Sequence, residues 1–330
     1  MVKVAVKKAN EPSSSMLIND LIFKELIKRG YSLEGNTRVW NLADSKLWYL
    51  TPEQAQAYLD ILDSESYGSD FGPKELTLIH KYLKEFIKKG GKGPLNLVDL
   101  GCGDGRKAAI FVKGFLEEGE EIRYCPIDIS GYMVTKAINT ISDLGISEVI
   151  ESKWNISDFE NLENIIPLLN YKEYKKSFFL LLGNTLSNFE FHELMYEVRS
   201  SMKSGDLLLI GNGLDNNRVE EDVVKFCKEN NLFNKFFTKI PLQIGLDEED
   251  IEFEVRFKNY RIEYYYILNK DKKVKFQNKE INFLKGDQLI VAVSYHYNKE
   301  DFISFLNLYF DEVSVKVSDD GSYALALCKK

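Results

Sequence analysis

Four turns in this sequence carry small or acidic residues at spacings that suit a nucleotide-like ligand. The first is Val98-Asp99-Leu100-Gly101-Cys102-Gly103-Asp104-Gly105, entered from the apolar run Leu95 to Leu100. Glycines there let backbone approach a ligand closely, and the helix that follows offers unpaired N–H groups at its N-terminus. A dinucleotide fingerprint would need glycine where Arg106 stands, and a P-loop would need Gly-Lys-Ser/Thr where Arg106-Lys107-Ala108 follows the last glycine. What remains is a strand-end turn suited to a ligand whose charged amino-acid end lies over it. The second turn, Pro126-Ile127-Asp128-Ile129-Ser130, puts a carboxylate where it can take both hydroxyls of a ribose; taken alone it reads equally as a helix N-cap, and its spacing after the glycine turn favours the ribose. The third, Asp158-Phe159, reads either as an adenine edge, with the ring packed on an apolar side chain, or as a helix N-cap. The fourth, Gly183-Asn184-Thr185-Leu186-Ser187-Asn188-Phe189, is rich in small and amide groups and follows the apolar run Phe178 to Leu182. Its Ser187 or Asn188 also suits a helix cap, and the two roles are compatible.

The elements that position these turns alternate. Strands are expected at Leu95 to Leu100, Ile122 to Ile127, Phe178 to Leu182 and Asp206 to Ile210. Helices are expected after the glycine turn, from Ser130 to Leu144 and from Phe189 to Met202. That order means βαβ crossovers and a mostly parallel sheet, and the low alternation within the strands means both faces are covered. A helix from Asn298 to Leu308, then Val313 to Val317, the turn Asp319-Asp320-Gly321 and Tyr323 to Leu327 close the chain with an antiparallel hairpin. The fold class is α/β, a Rossmann-like sheet of the class I methyltransferase layout with that hairpin at its end. Upstream, helices are expected at Met16 to Lys28, from Thr51-Pro52 and from Pro73 to Lys89, so the opening third reads as mostly helical. Residues 1–15 read as a polar, disordered leader. Residues 16–65 together with the Phe- and Tyr-rich stretch 212–293 are expected to form a substrate-binding lobe, and 66–211 plus 294–330 the cofactor-binding domain.

Composition excludes several classes. The chain has 330 residues, 28% of them charged, and a net charge of −8. Such an acidic balance argues against nucleic acid as partner. No apolar run approaches the ~20 residues that span a bilayer, and the N-terminus has no apolar signal core. Cys102, Cys125, Cys227 and Cys328 are scattered without a CxxC pair, the pattern of reduced cytoplasmic thiols with no metal site. The lysines at 84, 88, 89 and 92 read as the solvated side of a helix ending at Gly90-Gly91.

Taken in order, these motifs resemble the histidine-specific S-adenosylmethionine-dependent methyltransferases over roughly residues 50–330. The resemblance rests on Asp99-Leu-Gly-Cys-Gly with Lys107 downstream, Tyr124-Cys-Pro-Ile-Asp128-Ile-Ser, Asp158-Phe-Glu, Gly183-Asn-Thr-Leu-Ser-Asn188-Phe, and a late Val293-Ser294 strand. It implies S-adenosylmethionine as cofactor. Gly101, Gly103 and Lys107 would lie near its methionine portion, Asp128 on the ribose and Asp158-Phe159 on adenine, with Asp99 and Gly183 in the same site. Asn188 would hold the acceptor's amino or carboxylate group, Tyr67 falls near the family's substrate tyrosine, and Ser294 sits beside the acceptor side chain.

Two departures bear on the substrate. The glutamate that pairs with imidazole two residues before the serine is Ala292 here, and a tyrosine contributed after the fifth strand is Cys227. Losing a buried carboxylate removes the partner of a polar ring. The expectation is therefore methylation of the amino group of an amino acid or related small amine other than histidine, such as an aromatic one. Tyr264, Tyr265 and Tyr266 read either as lining of that pocket or as core. Methyl transfer needs positioning of a neutral nucleophile and no strong base; of His80, His192 and His296, only His296 lies near Ser294. Two other readings are a peptide or protein N-methyltransferase and a non-catalytic cofactor-binding regulator. The expected partner is a small molecule, with no nucleic acid or membrane, for a cytoplasmic monomer or homodimer.

Overall fold

The computed structural model describes residues 14–64, 72–146, 148–215 and 220–330, with side chains from residue 20 onward. Most of the expected leader lies outside the described residues; helix α1 (Ser14–Arg29) takes in its last two positions. The opening third is less helical than the sequence suggests, because a hairpin follows: β1 (Tyr31–Glu34) and β2 (Thr37–Asn41) pair antiparallel. Every residue of β1 is exposed, so the alternation that marks a half-buried strand is missing. Helix α2 (Pro52–Leu62) begins as its residues dictate. The Thr51 hydroxyl accepts from the Gln54 N–H at 3.1 Å, the Gln54 side chain accepts from the Thr51 N–H at 3.2 Å, and Pro52 occupies the first turn.

The central sheet is built by α3 (Gly72–Gly90), β3 (Leu95–Leu100), α4 (Arg106–Glu117), β4 (Ile122–Ile127), α5 (Gly131–Ser142), β5 (Glu148–Val149), β6 (Lys176–Leu181), α6 (Phe191–Ser201) and β7 (Leu207–Asp215). After the lobe described below come β13 (Tyr297–Asn298), α9 (Lys299–Tyr309), β14 (Glu312–Val317) and β15 (Tyr323–Lys329). The strand order is β14-β15-β7-β6-β3-β4-β5, with β13 beside β7. Strands β3 to β7 pair in parallel, and β15 runs antiparallel to both β7 and β14. This is the Rossmann-like methyltransferase sheet with its terminal hairpin. Successive residues serve opposite faces: Leu97, Tyr124 and Phe178 pack under α3, α4 and α5, while Val98, Cys125 and Phe179 pack on the side of α6 and α9. Both faces are covered, so these strands are mostly apolar with little alternation, Asn96, Asp99 and Arg123 being buried polar exceptions in β3 and β4.

The insert forms a second sheet. Helices α7 (Glu220–Glu229) and α8 (Asn231–Phe237) lead into β8 (Ile251–Lys258), β9 (Arg261–Leu268), the hairpin β10 (Lys272–Phe276) and β11 (Lys279–Phe283), and β12 (Gln288–Tyr295). Its order, β1-β2-β12-β9-β8, joins the N-terminal hairpin to the insert through parallel pairing of β2 with β12. One face packs on α1, α7 and α8 around Trp40, Trp48, Phe233, Phe237 and Tyr264. Main-sheet pairing continues along β7 past residue 211, and lobe pairing along β12 continues through Tyr295. Helix α2 bridges the two parts: Ile61 joins the lobe core, while Ala55 and Leu59 pack on Met133 of α5 and Gln56 accepts from the Tyr132 hydroxyl at 2.6 Å.

The glycine turn seats α4 against α5. Gly105 has φ 77°, and a Cβ there would meet the Ala137 Cα at 2.9 Å, whereas one on Gly103, φ 53°, would meet nothing within 4 Å. Gly105→Ala is therefore expected to destabilise the fold by roughly 1–3 kcal/mol and Gly103→Ala by clearly less. Urea unfolding of both variants checks this; equal losses would contradict the packing described.

Candidate active site

The parallel register brings the carboxyl ends of β3, β4 and β6 to one edge of the sheet, where open α/β sheets hold ligands. Gly101 takes φ 69°, and its N–H donates to the Ile127 carbonyl at 2.8 Å, which ties the first turn to the second. A Cβ at Gly101 would sit 3.2 Å from the Thr185 side chain of the fourth turn, so only glycine lets the turns approach this closely. The cleft between them encloses about 1040 Å³, open mouth included, and is lined by Asp99, Gly101, Gly103, Lys107, Asp128, Asp158, Phe159, Gly183 and Asn188. These expected site residues therefore share one cleft.

Its electrostatics are distinctive. Asp44, Asp99, Asp104, Asp128 and Asp158 line it against Lys46 and Lys107. Burial pushes the Asp99 carboxyl up to about 7, although the Tyr124 hydroxyl donates to it at 2.7 Å. Burial likewise pushes Asp128 up to about 6 against the pull of backbone N–H groups. Gly103 donates to one Asp128 oxygen at 3.3 Å and Ser130 to the other at 2.9 Å. A carboxylate has about four lone-pair sites, so each oxygen keeps capacity for a ribose hydroxyl. Phe159, packed on Phe189 at 5.4 Å between centroids, gives an apolar wall for a flat ring. Asp158 caps the short helix after it, accepting from the Glu160 N–H at 3.2 Å, and also lines the cleft, so the cap leaves room for a role toward a ligand. A carboxylate-rich cleft with an Asp that keeps acceptor capacity for a diol, a flat apolar wall and a lysine fits S-adenosylmethionine, whose sulfonium and ammonium outweigh its carboxylate.

A second pocket opens beside the first and shares Tyr49, Tyr58, Gly183 and Asn188 with it. Trp48, Phe233, Phe236, Phe237, Tyr264 and Ser294 are among its other walls, and among the described residues no Asp, Glu, Lys or Arg lines it. Tyr49 and Tyr58 meet edge to face at 5.2 Å, and burial pushes the Tyr58 hydroxyl up to about 12, so it stays protonated.

Not every expected residue reaches these pockets. Ala292 is fully buried in the lobe core; β12 bulges between Ile290 and Ala292, and Tyr264, directly across the strand pair, is the lining residue instead. Cys227 is buried behind that wall and accepts from the Tyr264 hydroxyl at 3.4 Å. Tyr266 is core, its hydroxyl bonded to Thr238 at 2.7 Å, and Tyr265 faces the other side of the sheet under Arg256. His296 stands beside Phe257, and no histidine lines either pocket. Tyr67 lies outside the described residues.

Sequence reasoning missed Tyr49, Tyr58 and the phenylalanines of α8, which carry no motif. It also missed Glu75, a carboxylate buried on the apolar stripe of α3 with Leu78 and Ile79, and a charge at that spacing was the available signal.

Fold and cleft together define an S-adenosylmethionine-binding, Rossmann-like methyltransferase. The chain belongs to the histidine-specific, S-adenosylmethionine-dependent methyltransferase family, whose profile matches residues 55–330. It is thus a methyltransferase with S-adenosylmethionine as its cofactor. Among curated proteins, none matches this sequence. Solved structures similar to it include PH0226 protein from Pyrococcus horikoshii OT3, 14% identical, covering 84% of this chain and 98% of that one at a TM-score of 0.42. Another is DesVI of Streptomyces venezuelae, 10% identical, covering 83% and 98% at a TM-score of 0.36. A third is CalS10, an amino pentose methyltransferase from Micromonospora echinaspora solved with S-adenosylmethionine, 8% identical, covering 83% and 96% at a TM-score of 0.36. Likenesses this loose leave the fold to the strand order and the family to the sequence. Among the described residues, no helix is long and apolar enough to cross a membrane.

The raised Asp128 has a measurable sign. Its folded value lies above the ordinary 3.8, so its ionisation costs the free protein stability as pH rises from about 4 to about 6 and costs no more above that. Hydroxyl donors favour the ionised form, so affinity for S-adenosylhomocysteine is expected to fall as pH drops below about 6. Asp128→Asn should lose most of that affinity and flatten this pH dependence in calorimetric titrations. An unchanged affinity would remove Asp128 from the site.

Proposed function

We propose that this methyltransferase acts on the amino group of an aromatic amino acid or a related small aromatic amine, and that histidine is not its preferred acceptor. The observation that carries this reading is the aromatic second pocket, uncharged among the described residues, that meets the cofactor cleft at Tyr58, Gly183 and Asn188. Its walls offer ring faces to an apolar body and amide and hydroxyl groups, from Asn188 and Ser294, to an amine end. Ala292, sealed in the lobe core, supplies no carboxylate to an imidazole.

When bound, S-adenosylmethionine supplies a methyl group already activated on a sulfonium. The chain's task is to orient and dry the acceptor. Desolvation in a pocket whose described walls hold no counter-ion lowers the pKa of an ammonium, which frees the lone pair. In this reading the amide of Asn188, on the shared wall, bonds the amine or its neighbouring carboxylate and holds it toward the cleft. The Tyr58 hydroxyl, kept protonated by burial, serves there as a hydrogen-bonding group and not as a base. Residues of the stretch 44–62 line both pockets, and an acceptor held between them and the turns is a small one rather than a peptide end.

Transfer of labelled methyl groups to a panel of amino acids and biogenic amines tests the reading. The expected product is an N-methylated aromatic amino acid or amine, with histidine a poor acceptor; efficient histidine methylation, or activity on peptides alone, would overturn it. Asn188→Ala should lower kcat/KM for the preferred acceptor by about 10–100-fold, the cost of a lost hydrogen bond to a polar or charged group.

A further inference from the structure

We propose that Glu75, which lines neither pocket, is a positioning residue for the amino-acid end of the cofactor and acts through Lys107 and Gly183. Its carboxylate is almost fully buried, at 1% exposure, on the apolar stripe of α3. A charge so placed is costly unless it is paired and hydrogen-bonded. Both of its oxygens are engaged. One holds the Lys107 ammonium at 2.5 Å and the other accepts the Gly183 N–H at 2.8 Å. Those two partners belong to different turns of the cleft, at the start of α4 and just after β6, and both line it. One buried carboxylate therefore fixes the distance between the two turns and the place of the lysine.

The geometry is close. A Cβ on Gly183, φ 74°, would come within 2.9 Å of the Lys107 nitrogen, so the lysine lies directly over the glycine. An ammonium has three donors. One is taken by Glu75, and the others remain for a carboxylate such as that of the cofactor's methionine portion. Without Glu75 the flexible lysine would lose its anchor, and the Gly183 N–H would lose its acceptor inside the fold. The inference rests on Lys107 serving the amino-acid end of the ligand, and the test separates the two.

The probes are S-adenosylhomocysteine and 5′-methylthioadenosine, which share the adenosine and differ by the amino-acid end. Binding of each is measured by calorimetry to the wild type, Glu75→Gln, Lys107→Met and the double variant, with thermal unfolding recorded alongside. Glu75→Gln is expected to weaken S-adenosylhomocysteine about tenfold or more while leaving 5′-methylthioadenosine within about twofold. Lys107→Met should do the same, and the double variant should bind no worse than Lys107→Met alone, because the two groups act as one unit. The double variant also removes the buried carboxylate that Lys107→Met leaves unpaired, which keeps the comparison available if Lys107→Met folds poorly. Equal losses for both ligands, or additive losses in the double variant, would make Glu75 merely structural and overturn the proposal. Selective loss in Lys107→Met without loss in Glu75→Gln would overturn it while leaving Lys107 in its role. No selective loss in Lys107→Met would remove the lysine from the amino-acid end, and the proposal with it.

Discussion

The register of β3 with its two neighbours is the constraint from which the site follows. Asp99 lies opposite Pro126 on one side and Leu180 on the other, so β3, β4 and β6 end at nearly the same level. The chain leaves β3 toward β4 and β5, then returns across to β6 and β7. The crevice at that reversal is where the glycine turn, Asp128 and the Gly183–Asn188 turn converge. A slip of one residue in any of these pairings would turn buried faces outward and separate the turns. The dry core on both faces makes such a slip costly.

Over this edge lies the lobe, and it imposes a contrast in charge. The cleft between the turns is lined with carboxylates, while the pocket beneath the lobe is lined with aromatic rings and, among the described residues, no ionised side chain. A cationic donor is favoured in the first, and the second suits the neutral amine of the proposed reading. The wall common to both, Tyr49, Tyr58, Gly183 and Asn188, is drawn from lobe and sheet alike. Helix α2 holds that wall in place, pinned to α5 through Gln56 and Tyr132 and anchored in the lobe by Ile61.

The cofactor half of this arrangement was legible in the sequence because its chemistry is local. A glycine turn after an apolar strand, an Asp at the end of the next strand and a Gly-Asn turn after a third each declare themselves in a few residues. The strand Leu95–Leu100 and the cap at Asn298 fall where their residues put them. The acceptor half was harder to read because it depends on pairing across the whole chain. Strand β2 meets β12 some 250 residues away, Leu289 opposite Trp40, and no periodicity announces that. Trp48, Tyr49 and Tyr58 read as ordinary aromatics until α8 is brought against them. Ala292 was placed near the acceptor by position along the chain; it is buried in the lobe core opposite Tyr264, beside a register shift in β12. Glu75 shows the converse, a polar residue on an apolar stripe whose meaning depends on partners from two distant turns.

The central claim is that donor and acceptor meet at the shared wall. A crystal structure of the protein with S-adenosylhomocysteine tests it most directly. The account predicts the ribose hydroxyls on Asp128, the adenine against Phe159, and the sulfur facing Tyr58 and Asn188 with an open path into the aromatic pocket. An attacking nitrogen must lie about 3–3.5 Å from the carbon it attacks, so that path must be direct. A sulfur turned away from Asn188, or a pocket closed off from the cleft by the ligand, would contradict the account.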